Sequence, residues 1–312
     1  MDERGIDAGE ATVAAAVDGI GVQSSPGVQD RRTVHLAHLT LLHMAPPQFV
    51  SVAAQAGYDG VSLHLTPPRL SDPGAVSYPM LGNASVMMRE TMARLADTGL
   101  KVHDIQAIRL KPEIRLRDFL PMLDAGSRLG ASYVIALSDD SDETRNADRL
   151  AELGMLAASF GMKVSLEFMA YSGIRDIAAA NRIIELSASP HVAILLDALH
   201  LVRSGGTPAD VMAIDRCRIP YLQICDGPLE ALDEAHGGLR WEARRERMIP
   251  GWGRLALHEL LSMLPPEMPL SVEVPSDSLH QVFHDLVIAR MALDATRNLC
   301  NQVMVARARR GE

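Results

Sequence analysis

Eight short apolar runs rich in β-branched residues stand at 34–39, 60–65, 101–108, 132–137, 163–168, 192–197, 219–225 and 270–274 of this 312-residue chain. Longer segments of helical period lie between them, among them 86–97, 116–128, 147–159, 176–187 and 255–264. Strands that alternate with helices pair in parallel, because a parallel neighbour needs a long crossover and a helix supplies it. Eight such units predict an α/β fold, a closed (β/α)8 TIM barrel, as a single domain over 32–312. An open doubly wound sheet is the alternative topology. No G-x-G-x-x-G follows the first run, which weakens a dinucleotide-binding version of it. Residues 1–31 are rich in Gly, Ala and Ser with scattered acids and read as a poorly ordered arm with a short helix at 9–18. The last helix, predicted at about 279–307, is longer than a closing helix needs. Its surplus suits covering the barrel base or packing against a second subunit in a homo-oligomer.

Composition narrows the function. Aromatic residues are 4% of the chain, so the core is expected to be aliphatic, as barrel interiors commonly are. A net charge of −9 argues against nucleic acid as partner, since phosphate contacts carry most of that affinity and need a basic surface. Cys217, Cys225 and Cys300 form no CxxC and no even disulfide set, which points to a reducing, cytoplasmic home. No apolar stretch reaches the ~18 residues of a membrane span. The acidic start Met1-Asp2-Glu3 is unlike a signal peptide. The expected partner is a small molecule.

Near the end of each of the last four apolar runs stands an oxygen-bearing side chain: Glu167, Asp197, Gln223 and Glu273, with Asp226 just beyond the third and expected to contact substrate. Charged residues are rarely buried without a partner, and Asp is depleted in strands. A barrel would bring these positions around one point. Crowded carboxylates repel and lose solvation, and a divalent cation between them relieves both costs. An all-oxygen donor set favours Mn²⁺ or Mg²⁺ over zinc. His200, three residues after Asp197, is placed to orient substrate or a ligand carboxylate. Arg247 precedes Pro250-Gly251-Trp252-Gly253, a turn that would close the long segment 227–253 and bring an arginine to a substrate carboxylate or hydroxyl pair. A second long segment, 66–83, follows the second strand; both shape the carboxyl face, where barrel active sites are built. In the first half His64, His103, Asp104, Gln106 and Asp139 carry weaker signals as pocket residues, with His64 the one counted as a substrate contact. Met87, Met88 and Met92 read as packing.

The runs Ser165-Leu166-Glu167-Phe168-Met169, Leu195-Leu196-Asp197-Ala198-Leu199-His200 with Arg203-Ser204-Gly205, Tyr221-Leu222-Gln223-Ile224-Cys225-Asp226, Arg247 with Pro250-Gly251-Trp252-Gly253, and Ser271-Val272-Glu273-Val274-Pro275 resemble the xylose-isomerase-like TIM-barrel superfamily of sugar phosphate isomerases and epimerases. The resemblance is strong over 160–277 and diffuse over 32–159. It implies one metal held by Glu167, Asp197, Gln223 and Glu273. Many epimerases of this group carry histidine where this chain has Gln223; glutamine there is similar to some 3-dehydroshikimate dehydratases. The turn commonly reads Pro-Gly-Glu-Gly, and here Trp252 replaces the glutamate, with an effect expected on the pocket rim.

The resemblance implies a divalent-metal-dependent sugar or sugar-acid isomerase or epimerase working by proton transfer through a metal-stabilised enediolate. Glu167 and Glu273 would exchange the proton, and His200 and Arg247 would orient the substrate. The alternative is a dehydratase of a cyclic keto-acid, in which the same enolate expels a β-hydroxyl. An abasic-site nuclease shares the barrel but gathers more histidines and a basic groove. A non-catalytic binding module would bind no metal.

Overall fold

The computed structural model describes residues 30, 32–66, 79–82, 85–233 and 238–311. The predicted arm 1–31 with its short helix lies outside them except for Asp30, as does most of 66–83. The strands are β1 (Val34–Ala37), β2 (Gly60–His64), β3 (Lys101–Leu110), β4 (Tyr133–Ser138), β5 (Lys163–Glu167), β6 (Val192–Asp197), β7 (Leu222–Ile224) and β8 (Leu270–Val272). They pair in parallel in chain order, and β1 closes the ring against β8. The fold is thus the (β/α)8 barrel, and the open sheet is excluded.

Side chains alternate between two faces of each strand. Val164, Leu166, Ile194, Leu196, Leu222, Ile224 and Val272 point outward into one large aliphatic layer under the helices. The interior differs from the aliphatic expectation. Ile135, Leu195 and Tyr221 form a small apolar cluster there. Around it lie polar groups: Ser62 donates to Asp104 Oδ2 at 2.6 Å, and His35 stacks on His103 at 4.4 Å. His103 also meets the edge of Tyr221 at 4.4 Å. The interior strand positions carry Gly60, Ser165 and Ser271, too small to fill the bore, so imidazole and phenol rings fill it instead. That layer forms the floor under the ends of β5 to β8.

Several boundaries differ from expectation for local reasons. β1 stops at Ala37 because His38–Leu41 makes a 3₁₀ turn, whose Thr40 hydroxyl binds the β8 end by donating to the Val272 carbonyl and accepting from the Val274 N–H. β3 runs on to Leu110 through a register shift against β4. The segment 227–253 holds a helix, Gly238–Arg245, and short helices Ala198–Arg203 and Pro208–Met212 follow β6. The final helix is Asp285–Arg310, preceded by a separate turn of helix at Asp277–His280. No helix among the described residues is long and apolar enough to cross a membrane.

Buried histidines make the fold acid-sensitive. Burial lowers His35, His38 and His200 to about 4 and His64 and His103 to about 3. A histidine held neutral when folded stabilises the protein fully above its unfolded value near 6.5 and loses that contribution as pH falls toward the folded value. Asp104, pushed up to about 6 by burial, acts with the opposite sign, its contribution fading as pH rises through that value. Glu167 and Glu273, also pushed up by burial, oppose the histidines in the same way in the metal-free protein; the five histidines outnumber these three carboxyls. Urea midpoints should therefore fall steeply between about pH 7 and about pH 4.5; a flat profile would show that these rings are not held neutral.

Candidate metal centre and catalytic pocket

Glu167 and Asp197 are the last residues of β5 and β6, Gln223 is central in β7, and Glu273 directly follows β8. Asp197 pairs in register with Gln223, and Gln223 with Ser271, which puts Glu273 two residues further along the same inner face. The parallel strands therefore deliver all four to one rim. Gln223 Nε2 donates to Glu273 Oε1 at 2.7 Å, and Arg247 joins Asp197 Oδ2 (2.6 Å) to Glu273 Oε2 (3.1 Å). Glu167 Oε1 lies 3.7 Å from His200 Nε2. Glu167, Asp197 and His200 each offer a ligand atom, all within 4.8 Å of one another.

The donor chemistry fits a divalent cation. Three buried carboxylates face one buried guanidinium, leaving an excess of two negative charges. Burial, then the charges of Glu273 and Asp197, push the Glu167 carboxyl well up. Burial likewise pushes Glu273 up to about 7 despite Arg247. Burial also works against ionised Asp197, but the Arg247 charge and the bond from the His200 N–H outweigh it and hold this carboxyl low. Gln223 Oε1 is buried with no hydrogen-bond donor among the described residues, and a buried acceptor without a partner costs about 1–3 kcal/mol. A cation would satisfy it and offset the charge. Gln223 therefore suits the ligand role that the sequence suggests, and His200 is close enough to be a further donor.

Local structure explains the placement. Asp197 caps the helix Ala198–Arg203 by accepting the His200 N–H at 2.8 Å, which fixes both side chains at the β6 end. Arg203 on that helix grips Glu242 through two bonds of 2.7 and 2.6 Å and the Pro228 carbonyl at 2.7 Å, seating the helix Gly238–Arg245 over the rim. Gly251 adopts φ +87°, and a Cβ on Gly253 would meet the Gly227 carbonyl oxygen at 2.3 Å, so the Pro-Gly-x-Gly turn needs both glycines. Asp226 is spent on this turn: it accepts from the N–H groups of Gly227, Gly251 and Leu255. It does not join the cluster and is absent from the pocket lining, contrary to the substrate contact expected of it. Trp252 is 52% exposed and lines a neighbouring apolar cleft rather than this pocket.

The pocket is a cavity of about 650 Å³. Glu167, His200, Gln223, Glu273 and Arg247 line it, as does His64, whose Nε2 is buried and has no hydrogen-bond partner among the described residues. Burial keeps His64 and His200 neutral. Arg247 is less open to substrate than its place in the sequence suggests, since its guanidinium is engaged by Asp197, Glu273, the Ala243 carbonyl and Cys225 Sγ. Arg109, Lys111, Arg244, Gln106 and Tyr171 also line the cavity, and of these only Gln106 stands out in the sequence as a pocket candidate. Arg109 pairs with Asp139 at 2.6 Å, and Arg244 meets no carboxylate in an ion pair among the described residues. Arg109 lies on the part of β3 beyond the expected end at 108, so the strand pattern alone gives no signal for it. Of the weaker candidates, Gln106 reaches the pocket, while His103 and Asp104 lie in the barrel floor.

A closed parallel barrel with a polar, oxygen-rich centre at the carboxyl ends of β5 to β8 defines the TIM-barrel class whose sites are built on that face. Residues 50–299 match the family described as xylose isomerase-like TIM barrel, and the chain belongs to that family. It is 24% identical over 283 residues to a 3-dehydroshikimate dehydratase of Pseudomonas putida, covering 85% of this chain and 40% of that protein. It is 26% identical over 159 residues to an inosose isomerase of Halalkalibacterium halodurans, covering 48% of this chain and 54% of that protein. The chain spans less than two thirds of the length of either relative. Among solved structures, the IolI protein, solved with a zinc atom, matches with a TM-score of 0.71 at 19% identity, covering 87% of this chain and 99% of that one. That likeness is one of fold.

Proposed function

We propose that this chain is a divalent-metal-dependent enzyme that removes a proton beside the carbonyl of a small, carboxylate-bearing hydroxy-ketone and eliminates a β-hydroxyl as water. The observation that carries this reading is the mixed charge of one pocket: the anionic, metal-fit rim from β5 to β8 and the cationic Arg109, Lys111 and Arg244 line the same cavity. Glu167, Asp197, Gln223 and Glu273 would hold Mn²⁺ or Mg²⁺, with His200 adjacent. When bound, the ion supplies Lewis-acid polarisation of the carbonyl.

The chain's own residues supply the rest. Glu167 accepts no hydrogen bond at its carboxylate among the described residues, whereas Glu273 is bonded by Gln223 and Arg247. Fewer donors leave Glu167 the stronger base, and it takes the proton. The C–O bond to the β-hydroxyl then breaks, and that oxygen leaves with the abstracted proton as water. His200 and His64, both neutral, orient substrate oxygens. Arg244 holds the substrate carboxylate, a charge-assisted contact that a neutral sugar lacks. Arg244→Ala should raise KM for a keto-acid by about 10- to 100-fold with kcat little changed; equal KM values would remove Arg244 from the substrate site.

Isomerisation or epimerisation is the second reading. It is favoured by Glu167 and Glu273 both lining the pocket, from β5 and from the end of β8, so that one takes a proton and the other returns it. Incubation with 3-dehydroshikimate or an inosose, with Mn²⁺ in deuterated water, separates the two. Aromatic product absorbance supports dehydration. Deuterium uptake without dehydration supports the second reading. Neither change would refute proton-transfer chemistry on these substrates.

A further inference from the structure

On the same face of the barrel, away from the oxygen-rich centre, two histidines and an aspartate meet. His43 follows the 3₁₀ turn after β1, His280 ends the helix Asp277–His280, and Asp285 begins the last helix. His43 Nε2 lies 3.1 Å from Asp285 Oδ2, and His280 Nδ1 lies 3.3 Å from Asp285 Oδ1. The two rings stand at 89° with centroids 5.1 Å apart, and the three ligand atoms fall within 4.8 Å of one another.

We propose that His43, His280 and Asp285 form a second cation site, selective for zinc-type ions, that staples the first and last βα connections together. The observation that points to a cation is the environment of His280. Its Nε2 is 3.2 Å from the Thr40 carbonyl oxygen, which can only accept, so Nε2 carries the hydrogen. A neutral ring then turns the bare lone pair of Nδ1 toward a carboxylate oxygen. Two lone pairs at 3.3 Å repel unless a positive charge stands with them, either a second proton on the ring or a metal ion. A carbonyl fixing the far nitrogen of a histidine is the usual support of a metal-bound imidazole. Two imidazoles and one carboxylate suit zinc, with solvent completing four-coordination; the oxygen-dominated centre suits harder ions.

The staple has a structural consequence. Thr40, whose carbonyl orients His280, also uses its hydroxyl to bind the backbone on both sides of Glu273. A cation here would tie that strand end to the loop carrying His43 and to the start of the last helix. The side chain of His43 is 52% exposed, so replacing it leaves the core intact.

The test is zinc chloride titration of metal-stripped protein by calorimetry, in a Glu167→Gln, Glu273→Gln background that weakens the oxygen-rich centre. One zinc equivalent is expected to remain and to raise Tm, with chemical-shift changes at His43 Nε2 and His280 Nδ1 by ¹⁵N NMR. Adding His43→Ala or His280→Ala should abolish the equivalent and the Tm rise. The proposal is overturned if the background variant takes up no zinc at saturation, which leaves a protonated His–Asp pair. It is equally overturned if uptake persists unchanged without His43 and His280.

Discussion

Replacing Glu167 by Gln should lower kcat for the proton-transfer reaction by about 10²- to 10⁴-fold, the usual worth of a positioned general base. The carboxylate is buried, takes no hydrogen bond among the described residues and is pushed up first by burial, then by Glu273 and Asp197. The same substitution should make the metal-free protein more stable, because it removes one of three crowded carboxylates. Activity loss together with a higher metal-free Tm is thus the expected signature; steady-state kinetics and thermal melts of the stripped protein check it. Wild-type activity in Glu167→Gln would show that the proton goes elsewhere, and a fall in metal-free Tm would show that the carboxylates do not strain each other.

Arg247→Ala is expected to destabilise the metal-free protein by about 3–5 kcal/mol, the cost of leaving a buried charge without its partner. Arg247 bridges Asp197 and Glu273, and its Nε is bound to the Ala243 carbonyl, so its loss also loosens the end of the helix Gly238–Arg245. Bound Mn²⁺ should recover part of that stability, since the cation and the guanidinium neutralise the same carboxylates. Urea denaturation with and without Mn²⁺ reads both effects. A loss below about 1 kcal/mol would mean that the pairs behave like exposed surface bridges.

Much of this was legible in the chain. The strands could be placed because their outward residues form unbroken aliphatic patterns. Glu167, Asp197 and Glu273 stood out because a charge interrupting an apolar strand has few explanations. Other parts depend on three-dimensional neighbours. Asp226 looks like a site acid, but its oxygens are taken by backbone N–H groups up to 29 residues away, a pairing that no local pattern reveals. The helix Gly238–Arg245 reads Gly-Leu-Arg-Trp-Glu-Ala-Arg-Arg, and its buried residues are Gly238, Glu242 and Ala243 rather than large apolar side chains; it is seated by the buried Arg203–Glu242 pair. Arg244 was visible only as a neighbour of Arg247, and which arginine is engaged and which faces the cavity depends on that seating. The polar barrel floor of His35, Ser62, His103 and Asp104 likewise follows from the small residues Gly60, Ser165 and Ser271 around it.

Manganese binding tests the central claim most directly. Electron paramagnetic resonance of the metal-stripped chain titrated with Mn²⁺ should show one bound equivalent, lost when Glu167→Gln and Glu273→Gln are combined and retained in His43→Ala. No bound manganese at saturation, or binding that survives the double substitution, would contradict a cation held at the ends of β5 to β8.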